Sequence, residues 1–517
     1  MTKYYDYKEI LRCASKYSPV IGGKIAVNLL KLNSIKTINK TEDVDALMTA
    51  LFRSGRYRIF EKVLSTLRRD HRQPQYAEWM AQIQMYRRVA DKSFFPDFVP
   101  VASTCYQYIE PKCPIMVVNQ GAPFHKSGYG LRTLKIMNEL QRAGFRPQLI
   151  ARPGYPADRP NEKTQDLHPG NHVISDESIE HHYFVDDYCN MSNAPLEKYF
   201  NLSYSIFFKL FERVRPPLVH AVTNHFGALP AIWAASQLNI PTVFEARGSW
   251  ELTRVSRGDL DEKSELFNIQ SRLERKCITD SNVFFAINKE LWNYFKGQEG
   301  TDEMNILENG VDMNNFVQSR QNAVERKKSK YSLRLIYAGA VVDYEGLDIL
   351  VRAVSRLRRQ GVDSVYLDIA GDGSFEPTLR ALINDLNLNS HICLHGRVSK
   401  DELDRLFSSA DLMCLPRRNW GVCNIVAPLK PYEAMQAELP LLVSSVAPLA
   451  RVVRESGAGR IFEADNVTAL ADQIKFFISS PLGFEAMRKA GPQYVRSKGN
   501  WTHRCASLLA CYDRFST

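Results

Sequence analysis

The sequence predicts an α/β chain with two doubly wound, Rossmann-like domains and an extra N-terminal helical segment. Three observations carry this. From Cys113 onward, short apolar runs ending in glycine or a polar residue alternate with helical periods. A polar, basic stretch at 320–330 interrupts that alternation once. Residues 1–109 show helical spacing and no strand-rich alternation.

The elements follow in order. Thr41-Glu42-Asp43 reads as a helix start, after which Ala46, Leu47, Leu51, Phe60, Val63, Leu64 and Leu67 recur at roughly helical spacing. Residues 114–119 form an apolar run of the kind that makes a buried parallel strand. A glycine-bearing loop from Gly121 to Gly130 leads into a helix at 131–143, closed by Gly144, and 147–151 reads as the next strand. Strands at 217–221 and 241–245 flank an apolar helix at about 227–237. Beyond the basic stretch, strands at 333–338, 365–370, 392–395, 412–415 and 441–444 repeat the theme, with helices at 347–360 and around 432–437. The expected division is an accessory or docking segment at 1–109, an N-terminal Rossmann-like domain at 113–325, a C-terminal one at 330–490, and a terminal segment at 491–517. Two such domains are expected to face each other across a cleft.

Composition narrows the class. With 44% hydrophobic and 24% charged residues the chain is an ordinary globular one. No apolar stretch approaches the roughly 20 residues that span a bilayer, and the start lacks a signal-peptide pattern, so a cytoplasmic location is expected. The ten cysteines are scattered with no Cys-x-x-Cys pair, which points to reduced buried thiols and no metal site. Of the net charge of +10, residues 1–109 hold most, with 18 Lys+Arg against 10 Asp+Glu. Such a basic segment suits an anionic membrane surface, a phosphate-bearing acceptor or nucleic acid; a solvated helical surface explains it equally well. No aromatic-basic interleaving of a nucleic-acid module is present, so no nucleic-acid partner is expected.

Ligands of doubly wound sheets bind outside the carboxyl ends of the strands, which limits the search to residues just after each strand. The first candidates are Gly128 and Tyr129 within Ser127-Gly128-Tyr129-Gly130, which either brings backbone close to a ligand or makes a packing turn. His220 ends a strand and either reaches into the cleft or makes a structural hydrogen bond. Arg247, after the next strand and before Gly248, suits an anion better. In the second domain, Arg417 follows a strand, and Lys430 opens a helix whose second residue is Pro431. Glu433, one turn on, is placed to accept two hydrogen bonds from a ribose diol.

The series Glu308-Asn309-Gly310-Val311-Asp312 through Phe316, Ile369-Ala370-Gly371-Asp372-Gly373, His395-Gly396-Arg397-Val398, Ala410-Asp411 through Pro416-Arg417, and Pro428 to Met435 resembles glycosyltransferase family 4, the retaining enzymes of the GT-B fold. Ser127 to Gly130, Arg152 to Pro156 and Glu245 to Glu251 resemble the bacterial surface-polysaccharide branch. The resemblance spans about residues 113–490. It implies an acceptor-holding N-terminal half, a C-terminal half that holds a UDP- or GDP-linked sugar, and a last helix that crosses back to the first domain. It makes Glu433 the ribose ligand, adds Asn309, Gly339, Gly373 and Arg397 to the donor-binding set with Gly128 and Tyr129, and assigns catalysis to Arg247, Lys430, Arg417 and His220. It implies no cofactor and no metal, and a glycan or lipid-linked acceptor in cell-surface polysaccharide synthesis. Two positions depart from the family pattern: Ile425 stands where the first carboxylate of a pair belongs, and Ala340 to Gly346 carry Asp343 and Glu345 in place of Arg and Lys. Residues 1–109, outside the resemblance, are expected to dock the enzyme to the inner membrane face or an assembly partner. The rival readings are a GT-B sugar-nucleotide epimerase, a phosphorylase, and a non-catalytic scaffold.

Overall fold

A computed structural model describes residues 41–67, 73–91, 93–96, 110–121, 124, 127–158, 170–176, 179–185, 196–296, 303–312 and 332–516. The basic stretch at 320–330 and Phe316 lie outside these, as do the ends of the 1–109 segment. The chain divides into two compact units. The first runs to Phe285 and takes in Phe295–Met304 and Ala510–Thr517; the second comprises Ala286–Tyr294 and Asn305–Leu509.

The first unit is built on β1 (Ile115–Val118), β2 (Gln148–Ala151), β3 (Gly170–Asp176), β4 (Ile179–Val185), β5 (Val219–Val222), β6 (Thr242–Ala246) and β7 (Val283–Ala286), in the order β3-β4-β2-β1-β5-β6-β7. Pairing is parallel from β4 through β2, β1, β5 and β6, and β3 joins β4 antiparallel. That β3–β4 hairpin breaks the strand-helix alternation expected from the sequence: the inward face of β4 carries a buried His181 between Ile179 and Tyr183, while Phe184 is only half-buried, so burial alternates where hydrophobicity does not. Covered strands of β1, β5 and β6 are buried along their whole length, as parallel strands between helices must be. The helix His225–Gln237 is apolar on nearly every side and buried from His225 to Ala235. Asn224 caps it, its side chain accepting from the Phe226 N–H. Tyr512, in the C-terminal stretch grouped with this unit, hydrogen-bonds His220 at 2.8 Å and packs edge-on against Phe145.

Three helices of the accessory segment, Thr41–Arg53, Tyr57–Thr66 and Pro74–Val89, belong to this same unit. They share an aromatic core of Phe52, Tyr57, Phe60, Tyr76 and Trp79. Their seam against the helix Glu265–Thr279 is close: a Cβ on Gly55 would lie 2.5 Å from Leu266 Cβ, and Gly55 O accepts from Glu265 N and Leu266 N. Ion pairs flank the seam. Arg56 pairs with Asp261, Arg88 with Glu197, and Arg87 bridges Glu61 and Glu265 at 2.7 and 2.5 Å. Part of the positive charge of this segment is thus engaged internally.

The second unit carries a parallel sheet of β8 (Leu333–Ala338), β9 (Val365–Ala370), β10 (Ile392–Gly396), β11 (Leu412–Leu415), β12 (Leu441–Ser444) and β13 (Gly459–Phe462), ordered β10-β9-β8-β11-β12-β13. The order reverses between β8 and β11, which places a crevice at their carboxyl ends. Among the described residues no helix is long and apolar enough to cross a membrane, and every described cysteine is a free thiol.

Candidate active site

At the β8/β11 switch point the strand-end loops approach one another through glycine. Gly371 has φ +138°, and a Cβ there would lie 1.9 Å from Gly339 O; a Cβ on Gly373 would meet Val341 O at 2.3 Å. Gly339, φ +143°, leaves the space through which Lys430 passes, since a Cβ would come within 2.2 Å of Lys430 Cε. The Lys430 ammonium donates to Tyr337 OH at 2.6 Å and pairs with Glu345 Oε2 at 2.9 Å. Arg417, at the end of β11, reaches the other oxygen of the same carboxylate at 2.9 Å and donates to Val426 O. Glu345 is therefore clamped between two cations.

All three groups are buried, and their titration follows. Burial alone would raise the Glu345 carboxyl; Arg417 and Lys430 overcome it and hold it at about 2. Burial pushes the Lys430 ammonium below its ordinary range, against the pull of Glu345. Two cations and one carboxylate leave the cluster one positive charge. Glu433 lies one helical turn after Lys430, on the same face. Burial raises its carboxyl above the ordinary range, Lys430 and Lys400 opposing. Among the described residues no group donates a hydrogen bond to it, so its oxygens are open to a ligand.

The first unit holds a second buried carboxylate in similar company. Glu245, on β6, is fully buried. Arg132 from the helix Gly128–Arg142 reaches Oε1 at 2.7 Å, Arg247 reaches Oε2 at 2.8 Å, and His220 Nε2 lies 3.4 Å away. Burial would raise this carboxyl, but Arg247 and Arg132 hold it well below the ordinary range. Burial lowers His220 despite Glu245. Arg247 also donates to Thr133 Oγ1 at 2.6 Å and Tyr129 O at 3.1 Å, and its guanidinium lies over the Tyr129 ring. Beside it, a cavity of about 170 Å³ is lined by Asn119, Gln120, Tyr129, Thr223, Asn224, Arg247, Gly248, Ser249, Trp250 and Thr253.

The residues singled out from sequence thus occupy different kinds of place. Lys430, Arg417 and Gly339 converge, with Gly373 setting the loop beside them. Tyr129 and Arg247 line the cavity of the first unit. His220 does not reach outward: it is fully buried between Glu245 and Tyr512, the structural of its two readings. Gly128 opens a helix capped by the Ser127 hydroxyl, which accepts from Gly130 N, so that N–H is already engaged. Asn309 is buried and donates to Ala427 O, while Arg397 is largely exposed and pairs with Asp372. Trp250 lies in the Glu245–Glu251 motif and Asn224 follows His220, but Asn119 and Thr253 carry no functional signal in the sequence; only the fold collects them at the cavity. Glu345 was visible as a departure from the family pattern, and its pairing with Lys430 and Arg417 was not.

A family model for "Glycosyl transferases group 1" matches residues 318–494, and one for "Glycosyl transferase 4-like domain" matches residues 127–299. The chain belongs to glycosyltransferase family 4. Among related members of the family, the "GDP-mannose-dependent alpha-(1-6)-phosphatidylinositol monomannoside mannosyltransferase" of Mycobacterium tuberculosis is 28% identical over 211 residues, 40% of this chain and 54% of the relative. The "GDP-mannose:cellobiosyl-diphosphopolyprenol alpha-mannosyltransferase" of Xanthomonas campestris is 26% identical over 206 residues, 39% and 50% of the two chains. The chain spans about half the length of these relatives. Solved structures with the same GT-B fold include sucrose-phosphate synthase from Thermosynechococcus elongatus (TM-score 0.59, 15% identity, 78% of this chain and 98% of that one). Anabaena HepE in complex with UDP gives a TM-score of 0.59 at 13% identity, covering 78% of this chain and 100% of that one.

The Glu245 cluster makes a stability prediction. Glu245→Gln leaves Arg132 and Arg247 buried without their counter-charge and is expected to cost about 3–5 kcal/mol in urea unfolding near neutral pH. Because the folded carboxyl titrates well below its ordinary value of 4.5, its stabilisation is present above that pH and is lost as pH falls through the folded value. The gap between wild type and variant should therefore narrow in acid.

Proposed function

We propose that this chain is a retaining glycosyltransferase that moves a hexosyl group from a nucleoside-diphosphate sugar onto a glycan or lipid-linked acceptor in surface polysaccharide synthesis. The Lys430–Glu345–Arg417 cluster beside the open Glu433 carboxylate carries this reading. Glu433 would accept from the ribose hydroxyls, and the net positive cluster would face the diphosphate. The relatives named above are GDP-mannose-dependent, so GDP-mannose is the first donor to try, with UDP-sugars next. The acceptor would lie against the cavity lined by Asn224, Ser249 and Trp250, whose polar groups and indole suit a sugar.

As the bond from the anomeric carbon to the leaving phosphate breaks, negative charge gathers on that phosphate and positive charge on the ring. Cations fixed at the phosphate therefore act chiefly in the transition state. The acceptor oxygen attacks the face the phosphate leaves, the phosphate takes the acceptor's proton, and the anomeric configuration is retained. Glu345 would hold Lys430 and Arg417 against their mutual repulsion and keep the lysine charged.

Lys430→Ala should lower kcat by on the order of 10²-fold, measured as nucleoside diphosphate release with acceptor present; near-wild-type turnover would remove the cluster from the mechanism. A charged Lys430 also sets an alkaline limit. Since its ammonium titrates below 10.5 and Glu345 is the group that raises it, the alkaline limb of kcat/KM should lie below that pH. Glu345→Gln should move the limb to still lower pH; an unmoved limb would deny Lys430 the charge-bearing role.

A further inference from the structure

The seam between the accessory helices and the helix Glu265–Thr279 holds a cavity of about 260 Å³ whose lining residues are distinct from those of the sites above. Four cations line it: Arg58 and Arg87 from the accessory helices, Lys263 from the loop before Glu265, and Arg272 from the helix itself. Buried Ile269 and Ala90 form part of its wall. Glu265 is the single acid among the lining residues, and it is already held by Arg87 at 2.5 and 2.9 Å. Arg87 is further fixed by both oxygens of Glu61. Arg58 only touches Glu265 at 4.0 Å, and its side chain is 88% exposed. Among the described residues, Lys263 and Arg272 have no ion-pair partner. Asp91, the acid that acts on Arg272 from nearby, accepts from Ser93 N and Oγ.

Three cations from three chain segments, their side chains reaching solvent, therefore converge on one concavity with little counter-charge, and an anion seated there would gain from all three. We propose that this cavity is a binding site for a phosphoryl group, gripped by Lys263, Arg272 and Arg58, with Arg87 held rigid behind them by its glutamates. A carboxylate would supply one charge to this excess, whereas a phosphoryl group supplies nearly two and presents three oxygens to guanidinium forks and the ammonium. The apolar wall leaves room for whatever the phosphate is attached to. Two sources share this chemistry: a soluble phosphorylated ligand, and a phospholipid headgroup at a membrane surface.

The test is made on the full chain carrying Lys430→Ala, which removes the excess charge of the proposed donor cluster and leaves Arg417 balanced by Glu345. Inorganic pyrophosphate is titrated calorimetrically into this protein and into the same protein with Lys263→Ala and Arg272→Ala. In parallel, both are sedimented with phosphatidylcholine vesicles containing phosphatidic acid. We expect saturable binding weakened at least about tenfold by the two added substitutions. Loss seen with pyrophosphate assigns the site to soluble phosphates, and loss seen only with vesicles assigns it to lipid. Without ligand, removing two unpaired like charges should leave the thermal midpoint unchanged or higher, which guards against a folding defect. If neither pyrophosphate nor vesicle binding differs between the two proteins, the proposal is overturned.

Discussion

A carboxylate buried between two cations recurs in both units of this chain, and the candidate chemistry depends on it. Glu345 holds Lys430 and Arg417; Glu245 holds Arg132 and Arg247. Taking any one of these charges out of water alone would cost several kcal/mol, so each is tolerable only because its partners are in place. In the second unit the arrangement has a further effect. Two cations share one carboxylate, so a positive charge is left over at the carboxyl end of the sheet, where a ligand of this fold binds. In the first unit Tyr129 and Thr133 anchor the arginine further, and the cavity beside it is walled mainly by amides, hydroxyls and an indole.

Glycine makes the second cluster geometrically possible. Lys430 crosses the end of β8 where Gly339 has no side chain, and the loop after β9 folds onto Gly339 through Gly371. Glu345 lies in the loop after β8, and Lys430 brings an ammonium to its carboxylate from the start of the helix Lys430–Gln436. The accessory helices show the same economy of charge: Arg56, Arg87 and Arg88 are tied to acids of the first unit, which leaves a smaller basic excess to act outside.

Much of this was legible in the sequence, for reasons that can be named. Strands buried on both faces, such as β1, β5 and β8, read as continuous apolar runs, and their glycine-rich ends located the loops. The β3–β4 hairpin was not legible, because a buried His181 on the inward face and an exposed Val173 and half-buried Phe184 elsewhere scramble the apolar alternation. Lys430 and Arg417 stood out through their position after a strand and at a helix start. Their dependence on Glu345 did not, since residues 72 and 85 positions apart meet only through the order of the strands. His220 was open to two readings because a strand end alone does not show which way a ring turns; Tyr512, almost 300 residues later, decides it.

The donor site is the claim on which the rest of the function stands, and binding tests it without needing the acceptor. UDP-, GDP-, ADP- and CMP-sugars would be added in turn to wild type and to Glu433→Ala, and thermal stabilisation followed to saturation. Saturable stabilisation by one nucleotide class, abolished in the variant, is the expected result and would name the base. Equal stabilisation of both proteins, or none by any nucleotide sugar, would contradict a donor site at Glu433 and Lys430.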